Sequence, residues 1–293
     1  MTRRSKARGL GRWVLGAALV VMLLLSAIGY REARRDPVVR HHAMALENWP
    51  AGAPPVRVLL MSDIHVAWPD MPPARVQRIV GQINALKPDI VLIAGDIASG
   101  RLLSIHYSKA EVVAALRGLK ARYGVFAVYG NHEHRLGPVE FRRELTKLGI
   151  RTLVNDAAYA GPLVIGGVDD DTSSHAELGQ TQQRALALAK ARGDAPIILF
   201  THNPAIFPWM AEGIPLMLAG HSHCGQIKLG RLSRSWLNPY RSTAPCGVSW
   251  LGGRTLIVTA GLGTSGPPMR FHAPPDLWMI EVGGAREGVK ARP

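Results

Sequence analysis

Five apolar runs in this chain each stop at a short cluster of aspartate, asparagine or histidine. Val56–Met61 leads into Ser62-Asp63-Ile64-His65, and Ile90–Ala94 into Gly95-Asp96. Val125–Tyr129 leads into Gly130-Asn131-His132-Glu133, Ile197–Phe200 into Thr201-His202-Asn203, and Pro215–Leu218 into Ala219-Gly220-His221-Ser222-His223. Short apolar runs closed by glycine and polar residues read as buried strands. Between the first three runs the apolar period becomes helical: Val76, Ile79, Val80, Ile83 and Leu86, stopped by Pro88, and then Val112, Val113, Leu116 and Leu119. A third helix is expected over Val139–Leu148, with further strands near Leu163–Val168, Leu256–Thr259 and Leu277–Val282. This alternation predicts a layered α/β fold. Ligands of open α/β sheets bind beyond the carboxyl ends of the strands. Five segments far apart in sequence therefore converge on one site.

The residue types at those ends say what the site can hold. Asp-x-His and His-x-His put two side chains on one side of an extended backbone. Asp63, His65, Asp96, Asn131, His202, His221 and His223 offer carboxylate, amide and imidazole donors with no thiolate, a set suited to Mn, Fe, Zn or Mg. Seven donors are too many for one tetrahedral ion, and two divalent ions sharing a carboxylate use them more naturally. Such a pair activates water and stabilises charge on a phosphoryl group, while a histidine outside the cage protonates the leaving oxygen. Any one of these residues alone is explained as well by loop capping; five clusters at five strand ends are not.

The ordered blocks DIH, GD, GNHE, THNP and GHSH, spread over residues 63–223, resemble the calcineurin-like metallophosphoesterases. The resemblance implies a four-layer α/β/β/α sandwich. It assigns Asp63, His65, Asp96 and His223 to one ion and Asp96, Asn131, His202 and His221 to the other, with Asp96 bridging. His132 becomes the catalytic group that assists the leaving oxygen, oriented by Asp96. The stretches GVDD (167–170), GHSHCGQIKL (220–229) and GLGTSGPPMRFHAPPDL (261–277) are similar to a bacterial membrane-anchored branch. Some members of that branch hydrolyse UDP-2,3-diacylglucosamine in lipid A synthesis. This implies a lipid-linked or nucleotide-lipid substrate and membrane lipids as partners, and makes Arg270 a candidate phosphate clamp. Gly100 stands where many relatives carry a second acid, and Ser222 and Cys224 replace Thr and Gly in the last block. Neither departure removes a ligand.

Trp13–Tyr30 carries no charge over 18 residues, with amphipathic rings at both ends and Arg12 and Arg31 beside them. It reads as a single-pass anchor, with a cleaved signal peptide as the rival. The expected order is a basic N-terminus (1–12), the anchor (13–30), a proline-containing linker (31–55), the catalytic domain (56–283) and a fraying tail (284–293). The branch resemblance implies a bacterial inner membrane. Basic residues flank the anchor almost evenly, so the side on which the domain lies stays open. The net charge is +14, and half of it falls in residues 1–40. That distribution favours a membrane surface over nucleic acid. The loop Lys228–Tyr240, with Arg231, Arg234, Trp236 and Tyr240, suits anionic headgroups or the substrate. Glu133 reads equally as support for the metal site or as an exposed acid. His106, His134, His175 and His272 read as surface or loop residues, and Asp169–Asp171 as a polar loop. Cys224 and Cys246 can pair in an oxidising compartment. A general phosphodiesterase, a nuclease of the same superfamily and a non-catalytic metal-binding scaffold are the alternative functions.

Overall fold

The structure is a computed structural model that describes residues 3–101, 104–228 and 246–284, with side chains from Gly11 onward. The strands in chain order are β1 (Val38–Ala45), β2 (Val56–Met61), β3 (Ala67–Trp68), β4 (Ile90–Ala94), β5 (Ile105–His106), β6 (Val125–Val128), β7 (Arg151–Thr152), β8 (Asp156–Ala160), β9 (Leu163–Gly167), β10 (Ile197–Phe200), β11 (Leu216–Ala219), β12 (Gly247–Leu251), β13 (Arg254–Val258) and β14 (Asp276–Gly283). The helices are α1 (Arg3–Arg34), α2 (Pro73–Ala85), α3 (Lys109–Ala114), α4 (Asn131–Leu136), α5 (Pro138–Lys147) and α6 (Leu178–Ala191).

Two six-stranded sheets stack face to face. One has the order β1-β14-β2-β4-β6-β7 and the other β12-β13-β11-β10-β9-β8. The period of two along each strand divides its side chains between layers. Val58 and Leu60 of β2 join Ile198, Phe200, Leu216, Leu218 and Ile257 between the sheets. Leu59 and Met61 of the same strand point outward, onto Val76, Ile79 and Ile83 of α2 and Phe141 of α5. On the far side, Leu199 and Met217 pack with Ala185 and Ala189 of α6 and with Ile206 and Phe207 of a short 3-10 segment. The result is the expected α/β/β/α sandwich, with strands read as continuous apolar runs because both of their faces are buried.

The N-terminal region differs from the expected linker. α1 continues past Tyr30 to Arg34, and residues 38–45 form β1, parallel to β14 from Val38 opposite Asp276 to Ala45 opposite Gly283. Arg40 Nε lies 2.6 Å from Asp276 Oδ2 and locks this edge. β1 is half-buried with mixed polarity, so it lacks the apolar run that marks a central strand. The helix from Gly11 to Arg34 is long enough to cross a membrane and contains an apolar 18-residue stretch, of which 6% is buried within the protein.

Candidate metal centre

Each ligand cluster begins two or three residues beyond a strand's carboxyl end: Asp63 after β2, Asp96 after β4, Asn131 after β6, His202 after β10 and His221 after β11. The parallel pairings β2–β4–β6 and β9–β10–β11–β13 bring these ends to one edge of the sandwich. Two glycines let the loops close. A methyl group on Gly130 would overlap Asp96 Oδ1, and one on Gly220 would overlap Ser62 Oγ and Asp63 Oδ2. The glycine before each of Asn131 and His221 is therefore part of the site. Five candidate ligands adopt positive φ: Asp63 49°, His65 48°, Asp96 51°, His221 67° and His223 48°. Such backbone is costly outside glycine and collects at functional sites.

The two carboxylates follow one pattern. Asp63 Oδ2 accepts from His221 N at 2.9 Å and lies 2.6 Å from Ser62 Oγ, while its Oδ1 has no hydrogen-bond partner among the described residues. Asp96 Oδ1 accepts from His132 N at 3.0 Å, which turns Oδ2 toward three imidazoles. That oxygen lies 3.4 Å from His202 Nε2, 3.5 Å from His65 Nε2 and 3.8 Å from His132 Nε2. His223 Nε2 lies 3.3 Å from Asp63 Oδ1 and 3.1 Å from His65 Nε2, and His221 Nδ1 lies 3.0 Å from His202 Nε2. Atoms that ligate one ion at about 2.0–2.1 Å stand roughly 3 Å apart, so this spacing fits coordination.

Backbone carbonyls set the tautomers. His65 Nδ1 donates to Ala98 O at 3.2 Å and His202 Nδ1 to Ala94 O at 2.8 Å. In the neutral rings both Nε2 atoms are thereby left with a lone pair facing Asp96, the outer support expected of metal-ligating histidine. The electrostatics show a need for positive charge. Burial opposes ionisation of Asp96, but His202, His65 and His132 hold its carboxyl well below the usual range. Burial also opposes charge on His202, and Asp96 overrides it, raising the ring to about 10. His65, by contrast, is pushed down to about 3, chiefly by burial. Buried acceptors aimed at one another, one of them unpartnered, fit divalent cations and fit little else.

Glu133 is buried and takes up the neighbouring loop. Its Oε1 accepts from Ile97 N at 2.9 Å and Ala98 N at 3.0 Å, and its Oε2 from Asp96 N and Gly130 N, each at 2.9 Å. Burial and the Asp96 charge push it up to about 7, against these four donors, which favour the carboxylate. His132 and Glu133 sit in the first turn of α4, an element too short to show a helical period. His132 Nδ1 is buried without a partner among the described residues.

Other expectations are corrected. Arg270 is fully buried, and its guanidinium donates to the carbonyls of Ala260, Gly261, Gly263 and Ala273 at 2.5–3.2 Å. It shapes the loop lying on Asp63, where Gly263 N donates to Asp63 O at 2.8 Å, and all three of its guanidinium nitrogens are engaged by backbone carbonyls. Asp169 and Asp170 do lie in a loop after β9, but both are buried. His134 is packed, not superficial: it bonds Asp169 at 2.9 Å and stacks on His175 with centroids 3.9 Å apart. Cys224 and Cys246 form a disulfide beside His223. Arg231 and Arg234 lie outside the described residues.

Residues 56–225 match the family model described as Calcineurin-like phosphoesterase. A zebrafish (Danio rerio) "Transmembrane protein with metallophosphoesterase domain" is 30% identical over 276 residues, covering 90% of this chain and 61% of that protein. An "Uncharacterized metallophosphoesterase" of Aquifex aeolicus is 29% identical, covering 84% of this chain and 92% of its own length. A Bacillus subtilis protein of the same description is 26% identical over 293 residues, covering 96% and 98%. This chain thus spans less than two thirds of the zebrafish protein and nearly all of the bacterial ones. With two stacked sheets and the Asp/His cluster at their shared edge, the chain belongs to the calcineurin-like phosphoesterase family.

Proposed function

We propose that the centre is dinuclear and that the enzyme cleaves a phosphodiester or pyrophosphate bond in a lipid-linked substrate, held at the membrane by α1. The observation that carries the dinuclear reading is that Asp96 Oδ2 lies 3.5 Å from His65 Nε2 and 3.4 Å from His202 Nε2, within reach of both histidine sets. Asp63, His65, Asp96 and His223 hold one ion; Asp96, Asn131, His202 and His221 hold the other. Divalent ions bound there supply positive charge to the phosphoryl oxygens and acidify water. Asp63 and Asp96 each spend one oxygen on a backbone N–H and present the other, so the cage is preorganised before any ion enters. His132, beside Asp96 and with one ring nitrogen unpartnered, gives a proton to the leaving oxygen. The lipid reading is supported by the apolar span of α1, by the name of the zebrafish relative and by the resemblance of residues 220–229 and 261–277 to the membrane-anchored branch, whose setting is the bacterial inner membrane. UDP-2,3-diacylglucosamine is the member of this substrate class to try first.

The test uses purified full-length protein. Metal analysis should find two ions per chain, and Asp96→Asn should lose both metal and activity. A single ion per fully active chain would overturn the dinuclear reading. Turnover of p-nitrophenyl hexadecyl phosphate should exceed that of p-nitrophenyl methyl phosphate under the same metal. Equal kcat/KM on the two would overturn the lipid preference while leaving the phosphoesterase intact. Preference for single-stranded DNA over both would favour the nuclease alternative.

A further inference from the structure

The path of the chain from α1 into the sandwich fixes which edge of the enzyme meets the anchor. α1 ends at Arg34, and the chain enters β1 at Val38, opposite Asp276. β14 runs antiparallel to β2, with Trp278 opposite Leu60, so Asp276 lies at the edge where β2 ends and Asp63 follows. The helix therefore arrives at the metal-bearing edge. Its contacts say the same. Arg270 N donates to Gly29 O at 2.9 Å, a methyl on Gly29 would overlap the Phe271 ring, and Ala33 is fully buried. Tyr30 donates its hydroxyl to Pro69 O at 3.2 Å. One residue before Gly29 the helix is bare, Ile28 being half exposed like Leu23, Leu24 and Leu25. No spacer separates the apolar span from the domain.

Beside this foot stands the two-stranded ribbon of β3 and β5. Trp68 immediately precedes Pro69 and pairs with Ile105 across the ribbon. The two large apolar side chains are 52% and 61% exposed. The ribbon is tied to the site, not loose. Ala67 comes two residues after His65, Val66 bridges to Ala98, and the buried Arg101 guanidinium joins Asp70 at 2.5 Å and Thr264 at 2.7 Å. An exposed Trp beside an apolar residue is the composition of a membrane-interface contact, and a span of about 20 residues ending near Tyr30 sets the lipid boundary at this height.

We propose that the metal-bearing edge faces the bilayer, with Trp68 and Ile105 seated in the lipid interface, so that the enzyme takes phosphate groups presented at the membrane surface. This rests on reading α1 as a membrane span. Trp209 is an internal control: it is 72% exposed but lies beside Met210, which Arg254 holds at the opposite end of the second sheet.

The experiment places the full chain in phosphatidylcholine vesicles with or without bromine on the acyl chains near the headgroup, and reads tryptophan quenching by bromine. Trp68→Phe should remove part of the quenched emission of the wild type, and Trp209→Phe should remove none. If Trp13→Phe lowers quenching and Trp68→Phe does not, the anchor stands and the proposed orientation falls. Protein washed free of the vesicles, with no quenching, would overturn both. In the same vesicles, Trp68→Ser with Ile105→Ser should lower turnover of embedded p-nitrophenyl hexadecyl phosphate about tenfold and leave soluble p-nitrophenyl methyl phosphate unchanged. Unchanged turnover of the embedded ester would refute delivery from the membrane surface.

Discussion

Glu133→Gln removes one charge and keeps the shape, yet it should damage both stability and metal binding. Four backbone N–H groups converge on the two carboxylate oxygens of Glu133, two on each. A glutamine has one acceptor oxygen, so one pair of N–H groups would face its amino group instead. Orphaning a buried donor costs about 1–3 kcal/mol, so two such groups cost about 2–6 kcal/mol. Relief of a buried charge close to Asp96 offsets part of that, because burial and Asp96 already push Glu133 up to about 7. A net loss of about 2–4 kcal/mol is expected, which at this chain length lowers Tm by roughly 3–8 °C. The same N–H groups belong to Asp96, Ile97, Ala98 and Gly130, so their displacement moves the Asp96 carboxylate. Outer supports of this kind change metal affinity about 10–100-fold. The assay is Mn titration of chelator-stripped protein followed by thermal unfolding, alongside Glu140→Gln as a control. Glu140 is an exposed acid paired with Lys109, and its loss should be nearly silent. A Glu133→Gln protein with wild-type Tm and wild-type Mn affinity would refute the positioning role.

His132→Ala should lower kcat by about 10²–10⁴ while metal content stays at the wild-type level; loss of metal would make His132 a ligand instead of a proton donor. Arg270→Met should cost about 3–5 kcal/mol of stability, seen in denaturant unfolding, because four carbonyl oxygens lose their donor. Its KM at a temperature where it is folded should not change, and a raised KM with native stability would restore Arg270 as a phosphate clamp.

The central strands and their ligand clusters were readable because each strand is buried on both faces and so appears as an unbroken apolar run, and because the ligands follow strand ends directly. Residues whose role depends on a distant partner were not. Glu133 looks the same in sequence whether it points to solvent or into four N–H groups from the β4 and β6 loops. Asp169 and Asp170 sit in a correctly expected loop, but their burial comes from His134 and the neighbouring loops, not from local pattern. Arg270 has the residue type of a phosphate clamp, and only its depth assigns it to backbone carbonyls.

The least legible part of the chain is the part that joins α1 to the sandwich, and the reason is physical. β1 is an edge strand, half-buried and mixed in polarity, and its partner β14 lies more than 230 residues away, so no local period marks it. Prolines nearby then favour a linker reading. A linker would let the sandwich turn freely relative to α1. A strand locked to β14, with Arg40 bonded to Asp276 and Gly29 against Phe271, removes that freedom. Tethering through a flexible segment raises only local concentration of substrate, whereas a docked helix also sets orientation. The fold presents its candidate metal edge and the foot of α1 on the same side.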